Sequence, residues 1–388
     1  MNLKLIGSAL IVAGTALGAG MLAIPMVLAR LGFVGGSLVM LLVWAFTSYA
    51  ALLLLEANLR VGVGSNMHGM AGKLLGKGGQ WLTNASMMFL LYALLMAYVI
   101  GAGDLLHGTL ASFGWHWPMM LCQLLVVLIG GLVVMLGTAA VDKFNRLLFA
   151  IMLICLLLAL VMMLPRISFT HLYEMTPQLD GWMNTLPVLF TSFGFMVVIP
   201  SLVSYTNASG RQLRWVVLGG SGIPLVCYWL WFIACIGNLS AEHLSGLSGN
   251  VNQLVTALGH GMSELQPILH IFAAVALATS FLGVSLALFD LLAEICKRPN
   301  HRLGRFQSAL MTLLPPLLIG ILAPNQFLGA LAYAGLALTF LAIFIPCAMV
   351  WCARKRNLVG EHAYQVIGGG MGLILCGLFG VLLIVAQF

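Results

Sequence analysis

The chain has 388 residues, of which 62% are hydrophobic and 7% charged, with a mean hydropathy of +1.08. Soluble domains carry roughly 25% charged residues, so 17 Lys plus Arg and 10 Asp plus Glu cannot cover a water-exposed surface of this size. A soluble enzyme, a disordered chain and a collagen-like fibre are excluded. The formal charge of +7 raises nucleic acid and membrane surfaces as partners, and its distribution along the chain decides between them.

Long unbroken apolar runs, such as Leu147 to Leu164, do not alternate as the strands of a membrane barrel do. They read as helices, which satisfy their own backbone in lipid. The expected fold class is an all-α polytopic membrane protein. Eleven spans are read, at about 5–29, 33–57, 83–107, 119–139, 146–165, 184–206, 214–238, 266–292, 307–323, 326–352 and 365–387. The ninth is at the short limit for crossing.

Span 1 is too long, too rich in internal glycine and too poor in cleavage-site features to be a signal peptide. Its centre reads Gly14-Thr15-Ala16-Leu17-Gly18-Ala19-Gly20-Met21, followed by Pro25, a poor continuous helix. Span 2 ends near Glu56. The segment at about 58–82 is glycine-rich, holds a short surface helix from Met67 to Leu75, and lacks a phosphate-loop pattern. Span 3 carries Tyr92, Tyr98 and, near its far end, Asp104. Span 6 repeats the theme of span 1, with Thr191-Ser192-Phe193-Gly194-Phe195-Met196 and then Pro200. Span 8 carries His270, Thr279, Ser280, Asp290 and Glu294.

With the N-terminus in the cytoplasm, all of the 17 Lys and Arg residues except Arg30 and Arg166 fall on the cytoplasmic side. This positive-inside bias places the C-terminus outside and removes the need for a nucleic-acid partner. The eight Cys show no C-x-x-C pair and read as packing residues, so no disulfide framework and no metal site are expected. Glu242-His243 and Glu361-His362 lack a second histidine at ligand spacing, and no catalytic residues are expected.

Spans 1 and 6 are five apart and start on opposite sides of the membrane. Gly/Pro-interrupted spans in corresponding positions of two halves point to a transporter site. The expected organisation is one transmembrane domain: a repeat at about 5–165, an inverted repeat at about 184–352, and an extra span at about 365–387. A broken helix exposes N–H groups at one stump, suited to a carboxylate, and C=O groups at the other, suited to an ammonium or a cation. A zwitterionic amino acid fits without any ionised side chain. The candidate lining is Thr15, Gly18, Ala19, Gly20, Met21, Tyr92, Ser192, Phe193, Gly194, Phe195, Met196, Thr279 and Ser280; the aromatics among them read equally as bundle packing. Glu56 and Asp290 are interfacial residues paired with a basic neighbour, or proton carriers, or gate residues bridged to Lys143 or Arg146.

Several stretches together resemble the bacterial aromatic amino acid permeases, with the nearest look to the tyrosine-specific branch. They are Gly18 to Pro25, Gln80 to Leu94, Phe190 to Phe195, Ile199 to Tyr205, Leu277 to Val284 and Leu288 to Ala293. The resemblance runs along the whole chain in order. It implies a leucine-transporter-like fold with five plus five inverted spans, discontinuous spans 1 and 6, and an eleventh span. It also implies import of tyrosine or another aromatic amino acid by proton symport across the bacterial inner membrane, with no cofactor besides the proton. A general aromatic or tryptophan permease, and a sodium-coupled or exchange-mode transporter, are the alternatives. By position, Gly18 to Met21 would take the carboxylate, and Phe193 to Phe195 the amino group and ring. Thr279 and Ser280 match a face that holds the ion in sodium-coupled relatives. The chain departs from the family where a histidine often follows the second Phe, here Met196, and where span 8 often carries an acidic residue, here Ala274. Expected partners are the amino acid and membrane lipid; a monomer is compatible with the sequence.

Overall fold

The computed structural model describes residues 3–62, 64–173, 182–206, 209–297, 302–358 and 364–388. Arg298, Glu361 and His362 lie outside them. Among the described residues there are helices and no strands.

Span 1 is split into α1 (Leu3–Ala16) and α2 (Gly20–Leu28). A single 3-10 turn joins α2 to α3 (Gly32–Val61), which is span 2. Helix α4 (Met67–Ser112) begins as the expected surface helix, turns at Gly76, where φ is +75°, and continues as span 3. That φ lies in the left-handed region open to glycine. Asn66 caps α4 by accepting from the Gly69 N–H at 2.8 Å. His68 reaches back across the turn, with ring nitrogens 2.6 Å from Gln80 Nε2 and 2.8 Å from Asn84 Oδ1. Spans 4 and 5 are α5 (Met119–Leu136) and α6 (Thr138–Met163).

After the short α7 (Phe169–Tyr173), span 6 is again two pieces, α8 (Trp182–Ser192) and α9 (Ile199–Thr206), separated by a 3-10 turn at Phe195–Val198. Span 7 is α10 (Gly210–Asn238), started by a capping box between Ser209 and Gln212. Two short helices, α11 (Ala241–Gly246) and α12 (Val251–Gly259), lead to span 8, α13 (Leu265–Ile295). Span 9 is α14 (Arg302–Leu322), longer at its start than expected. Span 10 is α15 (Phe327–Thr339), a π turn at Phe340–Phe344, and α16 (Ile345–Lys355). Span 11 is α17 (Gly369–Val385).

Nine helical stretches among the described residues are long and apolar enough to cross a bilayer unaided. The difference from eleven has a local cause. The second half of span 1 runs into span 2 as one stretch, Gly20–Val61, leaving Lys4–Ala16 as a separate short helix, and Gly369–Val385 is also short.

Span 8 packs on spans 3 and 5, span 10 on span 3 and on α8, α2 on α8, and span 7 on α1 and span 2. The two broken spans therefore lie at the centre. The face that carries the basic residues is tied together by Glu56. This buried carboxylate accepts from Arg60 Nε at 2.9 Å, from Arg354 Nε at 2.8 Å and Nη2 at 2.7 Å, and from the Val366 N–H at 2.8 Å. Arg354 also donates to the Gly369 carbonyl and Tyr49 to the Ile367 carbonyl. The entry to span 11 is thereby fixed to spans 2 and 10. On the opposite face Asp104 accepts from Asn250 Nδ2 at 3.1 Å and from the Asn252 N–H at 3.0 Å, anchoring the start of α12 to span 3.

Candidate functional site

The break in span 1 is narrow. Leu17 N–H still bonds to Ala13 O at 3.0 Å, and the next turn closes with Met21 N–H to Gly18 O and Leu22 N–H to Ala19 O, both at 3.1 Å. The Ala19 N–H donates to Ser280 Oγ of span 8 at 3.0 Å. Among the described residues no hydrogen bond engages the N–H of Gly18 or Gly20. These free amides lie at the N-terminal end of α2, the positive end of its dipole.

The break in span 6 faces it. Ser192 Oγ donates to Val188 O at 3.0 Å and lies 3.4 Å from Gly20 O. The glycines of span 1 are there for close approach. A Cβ on Gly18 would stand 2.6 Å from Ser280 Oγ, and one on Gly20 would stand 2.9 Å from Ser192 Oγ and 3.1 Å from Ser192 Cα. Thr191 bonds to the Pro187 and Leu331 carbonyls, tying α8 to span 10.

The structure brings Gly18, Ala19, Gly20, Met21, Ser192, Phe193, Gly194, Phe195, Met196 and Ser280 together at the two breaks. Met21, Phe193, Phe195 and Met196 are fully buried. Three candidates point elsewhere. Thr15 is exposed and its hydroxyl bonds back to Ile11 O at 2.8 Å. Thr279 is buried but donates to Ala276 O of its own helix at 3.0 Å. Tyr92 donates to Met311 O of span 9 at 2.7 Å; Tyr98, six residues on and buried, is the span 3 tyrosine within electrostatic range of Ser280.

Glu56 is bridged to Arg60 and Arg354, not to Lys143 or Arg146. The i,i+4 spacing on α3 delivers Arg60, whereas Arg146 is occupied on its own helix by Asp142 at 2.7 Å. Asp290 is exposed near the end of α13, within electrostatic range of Arg305. Ala274 is exposed on span 8, whereas Met196 is buried.

Span 7 supplies two groups that were not among the candidates. Tyr228 lies edge-on to Phe193, with ring centroids 5.1 Å apart, and its hydroxyl reaches the carbonyls of both Ala16 and Ser192, the latter at 2.8 Å. Trp231 Nε1 donates to Met21 O at 3.0 Å. Span 10 adds its π turn, just past Leu338, which lies against Gly194. Pro346, without an N–H, follows that turn and accounts for it. A cavity of about 210 Å³ lies roughly two turns along α2 from the break, toward the face opposite the basic one. Its lining includes Met26, Arg30, Thr185, Ser245, Leu328 and Gln387.

Residues 1–387 match the model of the tryptophan/tyrosine permease family. The chain belongs to that family. Full-length relatives agree. "Glutamine transporter 2" of Aliivibrio fischeri is 42% identical, with all of both chains covered. "Tyrosine-specific transport system 1" of Haemophilus influenzae is 37% identical, over 98% of this chain and 95% of its own. A "Tryptophan-specific transport protein" of Pseudomonas aeruginosa is 36% identical, over 97% and 93%. Among solved structures, MhsT in complex with L-phenylalanine superposes with a TM-score of 0.65 at 13% identity, covering 100% of this chain and 99% of that one. The permease therefore has the leucine-transporter-like fold of inverted five-span repeats plus an eleventh span. It is a multi-pass membrane transporter of amino acids, not an enzyme.

Proposed function

We propose that this permease imports an aromatic amino acid, tyrosine first, by proton symport with alternating access. The observation that carries the reading is the pair of facing breaks. The free amides of Gly18 and Gly20 stand at the positive end of α2, and the carbonyl ends of α1 and α8 lie beside them. Such a site grips an α-carboxylate on the backbone amides and draws an α-ammonium to the negative helix ends beside them. Phe193, Phe195 and Met196 then bound the side chain, and Ser280 positions the span 1 break through Ala19.

The tyrosine- and tryptophan-named relatives support a ring in that space. The glutamine-named relative at 42% identity favours a second reading, glutamine, which uses the same backbone grip and differs only around Phe195 and Met196. The basic face is assigned to the cytoplasm of the bacterial inner membrane, with the N-terminus inside and the C-terminus outside. The repeats are assigned to about 5–165 and 184–352, with 365–387 added.

The proton supplies the drive. One elementary charge crossing 100 mV contributes about 2.3 kcal/mol, which supports roughly 50-fold accumulation at 1.4 kcal/mol per decade. Glu56, saturated by two guanidinium groups and an amide, is assigned to anchoring and gating. Asp290, exposed on the basic face, is assigned to proton exchange with water. A thermal-shift scan of the twenty amino acids on purified protein tests the substrate. Stabilisation by tyrosine above tryptophan and phenylalanine supports the first reading, and stabilisation by glutamine alone replaces it with the second.

A further inference from the structure

Tyr228 is fully buried midway along span 7. Its hydroxyl lies within hydrogen-bond reach of two carbonyl oxygens from different broken spans: that of Ala16, the last residue of α1, and that of Ser192, the last residue of α8. A phenol carries one donor proton, so one hydroxyl serves two carbonyls.

Both carbonyls are C-terminal helix ends, each with a partial negative charge of roughly half an elementary charge. Converging on one atom inside the bundle, they repel unless something positive lies between them. In transporters with discontinuous spans, such carbonyl ends hold the driving cation. Here the place is taken by a phenol O–H. The span 8 hydroxyls are engaged as well: Ser280 accepts from Ala19 N–H at 3.0 Å and Thr279 donates to Ala276 O at 3.0 Å. The Ala19 N–H is thus met by span 8 and the Ala16 and Ser192 carbonyls by span 7, while the Gly18 and Gly20 amides stay free.

We propose that the Tyr228 hydroxyl occupies the position of a coupling cation between the two carbonyl ends. Through it, the permease binds its amino acid without a metal cation. Tyr228 is a positioning residue: it holds the end of α1 against the end of α8 while the substrate uses the free amides of α2. The inference rests on the transporter reading, and its test has a readout that does not need the substrate to be known.

The experiment compares wild type and Tyr228→Phe, which keeps the ring packed on Phe193 and removes the bridge. Both purified proteins are taken through thermal unfolding in choline, lithium, sodium and potassium chloride at matched ionic strength. Wild type should unfold at one temperature in all four salts. Tyr228→Phe should unfold several degrees lower in choline, with the loss restored by lithium or sodium, which fit between bare carbonyls. With the amino acid that stabilises wild type, Tyr228→Phe should bind about tenfold more weakly in choline and recover in the restoring salt. Loss without rescue by any cation would make the hydroxyl a packing bond and overturn the proposal, as would a variant indistinguishable from wild type. If Tyr228→Phe does not fold, wild type decides: sodium-dependent stabilisation or substrate binding by wild type overturns the proposal, and indifference to sodium upholds it. Absence of binding by any amino acid, with cation rescue of Tyr228→Phe intact, would sink the transport reading and leave the cation-surrogate reading standing.

Discussion

Adding one methyl group at Gly18 tests how the span 1 break is held. The Cβ of Gly18→Ala would lie 2.6 Å from Ser280 Oγ, while the next atom, Ser280 Cβ, is 4.0 Å away. The hydroxyl must therefore rotate away. In doing so it abandons the Ala19 N–H that it accepts at 3.0 Å. Overpacking typically costs about 1–3 kcal/mol, and an orphaned buried N–H another 1–3 kcal/mol or so, so the single substitution should destabilise by about 3 kcal/mol. Ser280→Ala alone should lose about 2 kcal/mol, for the orphaned amide only. In the double variant the clash is gone and the orphan remains, so it should match Ser280→Ala, leaving a coupling of about 3 kcal/mol between the sites. Thermal and denaturant unfolding of the four purified proteins in one detergent measures the cycle. A double variant as unstable as the sum of the singles would refute the claim that Ser280 is the group Gly18 makes room for.

Glu56→Gln leaves Arg354 and Arg60 facing a neutral amide in a nearly buried site. Stability should fall by about 3–5 kcal/mol while the pH profile of residual uptake stays where it was; a displaced profile would put Glu56 in the proton path. Tyr92→Phe should lower stability by about 1 kcal/mol through the lost bond to Met311 and leave substrate affinity alone, whereas Tyr98→Phe, beside Ser280, should weaken substrate binding. Competitive binding on both variants checks the contrast, and equal effects would contradict it. Phe195→Ala should weaken aromatic substrates about tenfold or more and alanine by much less; equal losses would make Phe195 a packing residue.

The span pattern was legible because each crossing is a long apolar run closed by charge, Gly or Pro. The two breaks were legible because Gly18, Gly20 and Gly194 interrupt spans that otherwise read as helix. Surface detail was also within reach: the helix from Met67 stops at Gly76 as its glycine-rich surroundings suggest. The residues that complete the site were not. Tyr228 sits in a Cys-Tyr-Trp-Leu-Trp-Phe run that reads as lipid-facing or packing aromatics. Its acceptors come from Ala16, 212 residues away, and Ser192, 36 away, so nothing local marks its hydroxyl. Glu56 was half legible: Arg60 follows at i+4, but Arg354 is 298 residues distant. Thr15 and Thr279 were drawn to the site by type and depth, and the structure spends their hydroxyls on their own helices, as hydroxyls in apolar helices do when no other acceptor faces them. Gly20 is likewise more than a carboxylate cradle, because Ser192 Cα stands behind it and backbone cannot rotate aside. A bulky residue there should damage packing and binding together.

The most direct test of the account is charge movement by wild-type protein reconstituted in proteoliposomes, with tyrosine applied in sodium-free potassium or choline buffer. The account predicts an inward positive current with concentrative tyrosine uptake, both abolished by a protonophore and unchanged by added sodium. Concentrative uptake that survives collapse of the proton gradient, or current evoked by glutamine and not by tyrosine, would contradict it.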